Sequence, residues 1–188
     1  MDNIEKIANI ASSWWSNVVI DPKFDNGDTS NSSFLATALQ KQLTEEVDDI
    51  KKAKFENLLK ANIFENVQNL TNDYSTCILG CDYGPCKPLY DIGNECGINA
   101  NNFPWKTTMW ISKHHVAVSY GYGASIDILY ADKQYYEIKL QRCKDDMEYI
   151  KKQPDEYFQY CSKEDHIKEC ESDINKYEQI LQGGEYDD

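Results

Sequence analysis

Apolar residues recur at helical spacing in the early part of the chain. They lie three, four or seven residues apart at Ile4, Ile7, Trp14 and Val18, which predicts an amphipathic helix. This helix must end before Pro22, because the residue before a proline avoids the helical backbone conformation. Asp2 and Glu5 have the spacing of a capping box at its start. The same periodicity predicts two more helices, over about residues 34–43 and 44–67.

The middle of the chain changes to short runs that are typical of β-strands. Residues 76–83 are mostly apolar and predict a buried strand, and a short helix follows from Pro88 to a stop at Gly97. Two β-rich runs, 107–112 and 115–120, flank a polar break and predict a β-hairpin. This order of elements predicts an α+β fold, in which N-terminal helices pack on a small antiparallel sheet.

The C-terminal part of the chain has the pattern of two amphipathic helices. Because Pro154 separates two series of apolar residues, we expect an antiparallel helical hairpin. Ser162 and Asp165 have the spacing to cap its second helix. The domains expected are a core at residues 1–124, a hairpin appendage at 125–182 and a disordered tail at 183–188. The two apolar series are Tyr136, Leu140, Cys143, Met147 and Ile150, and then Ile167, Cys170, Ile174, Tyr177 and Leu181.

Acidic residues are concentrated in this C-terminal part. The 188 residues include 32 acids and 19 bases, for a net charge of −13, and residues 125–188 hold 17 of the acids and 9 of the bases. Such a charge repels a phosphate backbone and attracts basic surfaces, so a basic protein is a better partner than a nucleic acid. A solvated surface that keeps the protein soluble explains the same charges without any partner, and both interpretations stay open.

Seven cysteines occur, four of them between Cys77 and Cys96 with the spacing C-x3-C-x4-C-x9-C. Structural zinc sites usually combine two closely spaced pairs of ligands, and only the first spacing fits. We therefore expect ordinary thiols, with neither a metal nor another cofactor. A zinc-dependent enzyme centred on these cysteines is the alternative.

The sequence offers no convincing set of catalytic residues. His114 and His115 are adjacent in the hairpin break, where neighbouring side chains point to opposite faces. His166 and Cys170 lie four residues apart on a helix, which supplies only two ligands for a metal. No enzymatic activity is therefore expected.

We expect neither a membrane segment nor a secretory signal. No apolar run is long enough to cross a bilayer, and the N-terminus is acidic and lacks an apolar core. We expect a cytoplasmic protein without a membrane partner.

Five short motifs follow one another within about residues 5–126. In this order they resemble a family of small proteins carried by phages and mobile elements of Firmicutes, especially gut Clostridia. The family is in turn similar to a group of anti-CRISPR proteins that act on type II Cas9. The resemblance implies no catalytic role for any motif, and the acidic helical tail departs from the shorter members. The motifs are Trp14-Trp15, Asn26-Gly27-Asp28, Asp82-Tyr83-Gly84-Pro85, Phe103-Pro104-Trp105-Lys106-Thr107 and Ser119-Tyr120-Gly121-Tyr122-Gly123-Ala124.

The resemblance implies an inhibitor of a bacterial defence protein, such as Cas9 with its guide RNA, in the cytoplasm of the host cell. Carboxylates would replace phosphates in the basic channel of the nuclease and block engagement of target DNA. The alternative is a nucleic-acid-binding accessory protein of a mobile element that uses the aromatic hairpin. The oligomeric state stays open. The expected partner-binding residues are Asp145, Asp146, Glu148, Asp155, Glu156, Trp105, Tyr120 and Tyr122.

Overall fold

A computed structural model describes residues 2–21, 38–39, 41–121, 123–158, 162–184 and 186–187. Half of the predicted second helix, residues 34–37 and 40, falls outside the described residues, as do the Asn26-Gly27-Asp28 motif and Tyr122. The described part of the chain forms helices and a four-stranded antiparallel sheet. This confirms the predicted α+β fold.

The chain divides into two compact units, Met1–Tyr130 and Ala131–Asp188. The boundary lies a few residues after the one expected at residue 124, because Ile126–Ala131 forms a strand that the sequence pattern did not predict. Asp127 is its one charged residue. The stretch therefore has no clear alternation of polar and apolar positions, which is the signal that reveals a half-buried strand.

The helices of the first unit begin and end at recognisable cap residues. The carboxylate of Asp48 accepts a hydrogen bond from the Lys51 amide (2.8 Å), so the helix expected from residue 44 begins at Asp49. Gly97 ends the following helix in the left-handed conformation, with φ of 68°, as predicted. The predicted capping box is wrong, because the Asp2 side chain makes no cap hydrogen bond. The helices are α1 (Asn3–Ile20), α2 (Asp49–Gln68) and α3 (Lys87–Cys96), and a 3-10 turn follows at Ala100–Asn102.

The four strands lie in the sheet in the order in which they occur in the sequence. Leu79 is opposite Met109 in the first antiparallel pair of strands, and Met109 is opposite Val118 in the second. The second pair is the hairpin predicted from the two β-rich runs, which is thereby confirmed. The strands are β1 (Cys77–Cys81), β2 (Thr107–Ile111), β3 (His115–Tyr120) and β4 (Ile126–Ala131).

The helices cover one face of this sheet. Leu79, Met109 and Val118 lie side by side on that face and are almost fully buried. Ile78 and Trp110 are paired on the opposite face, where Ile78 is 56% exposed. Successive side chains of a strand point to opposite faces of the sheet. A shift of the strand pairing by one residue would therefore exchange the buried and the exposed side chains.

Aromatic rings fill the space between the helices. Phe103 follows the 3-10 turn and lies between Phe55 of α2 and Trp15 of α1, with ring centres 5.8 Å and 6.3 Å away. All three side chains are buried. The Asn102 amide, also buried, donates to the carbonyls of Val19 (3.1 Å) and Glu45 (2.8 Å). These contacts fix the segment that leads into β2.

The second unit is an antiparallel pair of helices, as predicted. Ser162 caps the second helix, because its hydroxyl accepts from the Asp165 amide (3.1 Å) and donates to the Asp165 carboxylate (2.6 Å). Asp187, in the tail expected to be disordered, is hydrogen-bonded to both backbone groups of Ala131. The apolar series form the seam between the helices, yet every one of their residues is only half buried. The elements are α4 (Lys133–Lys152), a 3-10 turn (Asp155–Tyr157) and α5 (Lys163–Gly183).

The helices of both units are too polar or too short to span a bilayer. None of those in the described ranges combines the length and the apolar character that a membrane-spanning segment needs.

Candidate functional site

Three of the sequence motifs meet around Lys106. Its amide donates to the Asp82 carbonyl (2.9 Å), and its carbonyl accepts from the Gly121 amide (3.1 Å). Its ammonium group forms an ion pair with the Asp82 carboxylate and lies 4.0 Å from the centre of the Tyr83 ring. We call Asp82, Tyr83, Trp105, Lys106 and Gly121 the Lys106 corner. Residues from three separate motifs thus form one site.

The backbone of the Lys106 corner is strained. Lys106 has φ of 56°, in the left-handed region, and is the one non-glycine residue in the described ranges with a positive φ. A side chain in this conformation costs energy, and it persists only where the surrounding contacts hold it. Here the backbone hydrogen bonds to Asp82 and Gly121 hold it. Such strain clusters at binding sites, which makes this corner a candidate contact surface.

A cavity of about 800 Å³ opens beside the Lys106 corner. Gly80, Gly84 and Gly123 line it, so a partner chain can approach the backbone closely. Tyr83 also lines it and is 61% exposed. The hydrogen bond to Asp82 raises the pKa of Lys106, which therefore stays protonated and is not available as a general base. The raised pKa thus argues against Lys106 as a proton acceptor at neutral pH.

The predicted aromatic contact residues have different neighbours. Trp105 packs edge-on against Tyr83, with 5.7 Å between the ring centres. Tyr120 packs edge-on against Trp14 of α1, with 5.8 Å between the ring centres. Tyr122 lies outside the described residues. Trp105 therefore belongs to the Lys106 corner, whereas the Tyr120 ring contributes to the packing of the sheet on α1.

The predicted acidic contact residues are all exposed on the second unit. This unit, residues 131–188, holds 16 acids and 9 bases, for a net charge of −7. Two of the five acids form ion pairs with lysines of the same unit, at 3.6 Å each. The paired acids are Glu148, with Lys152, and Asp155, with Lys163; those without an ion pair among the described residues are Asp145, Asp146 and Glu156.

A second cavity, of about 520 Å³, lies within the first unit between α1, α2, β3 and β4. Its walls carry charges of both signs, from Asp21, Asp127 and Lys52. The Lys52 ammonium donates to the Asn17 side-chain oxygen (2.7 Å). Because the charges oppose one another, the lining favours no single class of ligand.

The cysteines of β1 are poorly suited to chemistry at neutral pH. Burial raises the pKa of Cys81 to about 12 and also raises the pKa of Cys77. The Cys86 sulfur accepts a hydrogen bond from the Gly80 amide (3.4 Å). No group of three or more His, Cys, Asp or Glu side chains in the described ranges is arranged to hold a metal ion. The geometry therefore gives the zinc-enzyme alternative no support; Cys161 lies outside the described residues.

A serine–histidine pair lies in the turn between β2 and β3. Ser112 Oγ is 2.6 Å from His115 Nδ1 and accepts from the amides of His114 (3.0 Å) and His115 (3.1 Å). Ser112 is almost completely buried. Since its oxygen is engaged by two backbone donors and is shielded from solvent, the pair stabilises the turn and does not present a nucleophile.

Sequence reasoning did not select Lys106, Asp82 or Tyr83 as site residues. The available signal was the motif order, which places Asp82-Tyr83 and Lys106 in two of the quoted motifs. A comparison with protein-family models found no match, and a comparison with curated protein sequences found none either.

Proposed function

We propose that the protein inhibits a bacterial defence nuclease, with a type II Cas9 and its guide RNA as the first candidate, and that it binds through the acidic surface of the α4–α5 hairpin. The observation that carries this proposal is the exposure of all five acids around the hairpin connection, three of them without an ion pair among the described residues. The order of the sequence motifs, which resembles that of mobile-element proteins, supports the same function.

Electrostatics explains how such a surface would act. A guide–target heteroduplex is held in a positively charged channel through its phosphate backbone. Carboxylates on a helical hairpin present negative charge on a stable support, so they compete with phosphates for the same lysines and arginines. The net charge of −7 on the second unit also speeds encounter with a basic protein.

The test is inhibition of target cleavage by a purified Cas9–guide complex, measured together with affinity at low and high salt. In the test variant the five hairpin acids are neutralised: Asp145→Asn, Asp146→Asn, Glu148→Gln, Asp155→Asn and Glu156→Gln. Each exposed contact is worth about 0.2–1 kcal/mol, so the affinity should fall roughly tenfold or more and should depend less on salt.

A control variant matches this change in charge on the first unit. It also neutralises five exposed acids, of which two form ion pairs with lysines and three have none within the described ranges, and it should bind like the unchanged protein. Equal losses of affinity in both variants would show that the effect depends on net charge alone. Tight binding that is unchanged in both variants and at high salt would exclude phosphate replacement. The control acids are Glu46, Asp49, Glu65, Asp91 and Glu95.

The nucleic-acid-binding alternative has weaker geometric support. Stacking on bases needs aromatic rings beside free cations. Lys106, at the aromatic corner, already forms an ion pair with Asp82 and lies over the Tyr83 ring. Binding of single-stranded DNA that is lost in Lys106→Met, and unaffected by the five hairpin changes, would favour this alternative.

A further inference from the structure

Two exposed tyrosines meet at the connection between α4 and α5. Tyr149 lies in the last turn of α4 and is 55% exposed, and Tyr157 ends the following 3-10 turn and is 62% exposed. Their side chains are joined by a hydrogen bond, which raises the pKa of Tyr149. Among the described residues of the second unit, no other large apolar side chain is exposed. We call Tyr149 and Tyr157 the tyrosine pair.

Packing holds the tyrosine pair in place on one side. The Tyr157 ring lies edge-on against Phe158, with 5.5 Å between the ring centres, and Phe158 lies 5.4 Å from the ring centre of His166 on α5. Nearby, the Lys163 ammonium donates to the Gln153 carbonyl (2.6 Å) and so ties α5 to the connection. An aromatic ring that is already ordered loses little conformational entropy on binding. Because more than half of each tyrosine still faces solvent, the pair has the properties of an interface hot spot.

The charge around the tyrosine pair is negative. Asp145 and Asp146 precede Tyr149 by four and three residues, which makes them its neighbours on the surface of α4. The two residues before Tyr157 are also acids. Residues 145–168 hold seven acids and four lysines, for a net charge of −3, and three of these lysines form ion pairs with acids of the same stretch. This surface therefore attracts a cation and repels a phosphate backbone, so its occupant is a basic protein segment rather than a nucleic acid.

We propose that the tyrosine pair docks an arginine-bearing segment of the protein partner, with guanidinium groups stacked on the two rings and paired with the flanking carboxylates. Arginine suits this surface better than lysine, because its planar guanidinium stacks on aromatic rings and donates two parallel hydrogen bonds to one carboxylate. The lysine ammonium is more strongly hydrated and makes neither contact as well. The proposal rests on the proposed function, since it names the partner chemistry that the same hairpin surface would recognise.

The experiment measures binding of the full chain to two labelled peptides by fluorescence anisotropy. One peptide is an arginine–glycine repeat, and the other is a lysine–glycine repeat of the same length and charge. We expect the arginine peptide to bind about threefold to tenfold more tightly. Raised salt should weaken both complexes, because the carboxylate contacts are exposed, but the ratio of the two affinities should persist.

Replacing the rings tests their contribution to this ratio. In the double variant Tyr149→Leu, Tyr157→Leu the affinity ratio should fall to about one, because apolar side chains remain but no ring is left for stacking. The double variant with phenylalanine keeps the rings and should keep the ratio. The control Tyr74→Leu, Tyr90→Leu removes two tyrosines of the first unit that are exposed to a similar degree, and it should leave the ratio unchanged. Circular dichroism verifies the helix content of each variant. If the double leucine variant is unfolded, Tyr149→Leu alone replaces it and should lower the ratio.

Three results would overturn the proposal: equal affinity for the two peptides, a ratio that is unchanged in the leucine variant of the tyrosine pair, or an equal loss of the ratio in the control. The nuclease is absent from this assay, so the failure of this proposal and that of the proposed function are distinguishable. A Cas9–guide complex that is not inhibited, together with an arginine preference that needs the tyrosine pair, would overturn the inhibitor function alone. Inhibition that is lost on neutralising the five hairpin acids, but unchanged in the leucine variant, would overturn the arginine docking alone.

Discussion

The ammonium nitrogen of Lys106 lies 4.0 Å from the centre of the Tyr83 ring, although the two residues belong to different motifs of the sequence. The ion pair with Asp82 keeps the Lys106 side chain in this place. Tyr83 in turn packs against Trp105. Two segments that are far apart in the chain therefore stabilise each other at one end of the sheet.

The strained backbone at Lys106 can be tested by comparing glycine and alanine at this position. Both substitutions remove the ion pair with Asp82, but only glycine adopts φ of 56° without steric cost. We expect Lys106→Gly to have a urea midpoint higher than Lys106→Ala by about 0.5 M. Lys87, in the first turn of α3, is the control, because alanine should be the more stable choice in a helix. If alanine were at least as stable as glycine at residue 106, as is expected at residue 87, the Lys106 backbone would not be strained.

Neighbouring residues on β1 provide a test of the sheet register. Leu79 faces the helices and is 1% exposed, whereas Ile78 faces the other way and is 56% exposed. Leu79→Ala should lower the free energy of unfolding by about 2–5 kcal/mol, because it leaves a cavity in the core. Ile78→Ala should cost about 1 kcal/mol or less. Chemical denaturation measures both values, and a larger cost for Ile78 would contradict the register.

Gly93 of α3 tests the close packing of the helix against Phe103. A methyl group at residue 93 would lie 3.1 Å from two carbons of the Phe103 ring, which is buried and cannot easily move. Gly93→Ala should therefore destabilise the protein by about 1–3 kcal/mol, although alanine favours a helix by about 1 kcal/mol. Gly84 is the control and should tolerate alanine, because a methyl group there would meet no heavy atom within 4 Å. A stabilised Gly93→Ala variant would mean that the contact is looser than the geometry indicates.

The cap of α5 predicts a pH dependence of hairpin stability. The hydrogen bond from the Ser162 hydroxyl lowers the pKa of Asp165 below its ordinary value of 3.8. A lowered pKa in the folded state stabilises the hairpin at pH values above 3.8, and this contribution is lost as the pH falls through the folded-state pKa. Carbon-detected NMR should show a higher Asp165 pKa in Ser162→Ala. The pH-dependent part of the stability difference between the unchanged protein and Ser162→Ala should vanish in acid. An Asp165 pKa that is the same in both proteins would refute the cap.

Local patterns in the sequence were sufficient for the elements whose signals lie within a few residues. The seam of the hairpin follows the three- and four-residue spacing of its apolar positions, and the Gly97 stop and the Ser162 cap each depend on neighbouring residues. The capping box predicted at Asp2 relied on the same kind of local spacing and was wrong. A favourable spacing does not ensure that the side chain forms the hydrogen bond to the helix.

The sequence by itself determined the α+β order of elements, the hairpin seam and the acidic charge of the second unit, because periodicity and charge are properties of short segments. Tertiary structure decided that Ile126–Ala131 joins the sheet and that Asp82, Tyr83 and Lys106 form one corner. It also separated the rings of Trp105 and Tyr120, which belong to neighbouring motifs but pack on different neighbours. These arrangements depend on which residues pair between neighbouring strands of the sheet. Such pairing joins residues that are distant in the sequence, so a local pattern does not contain it.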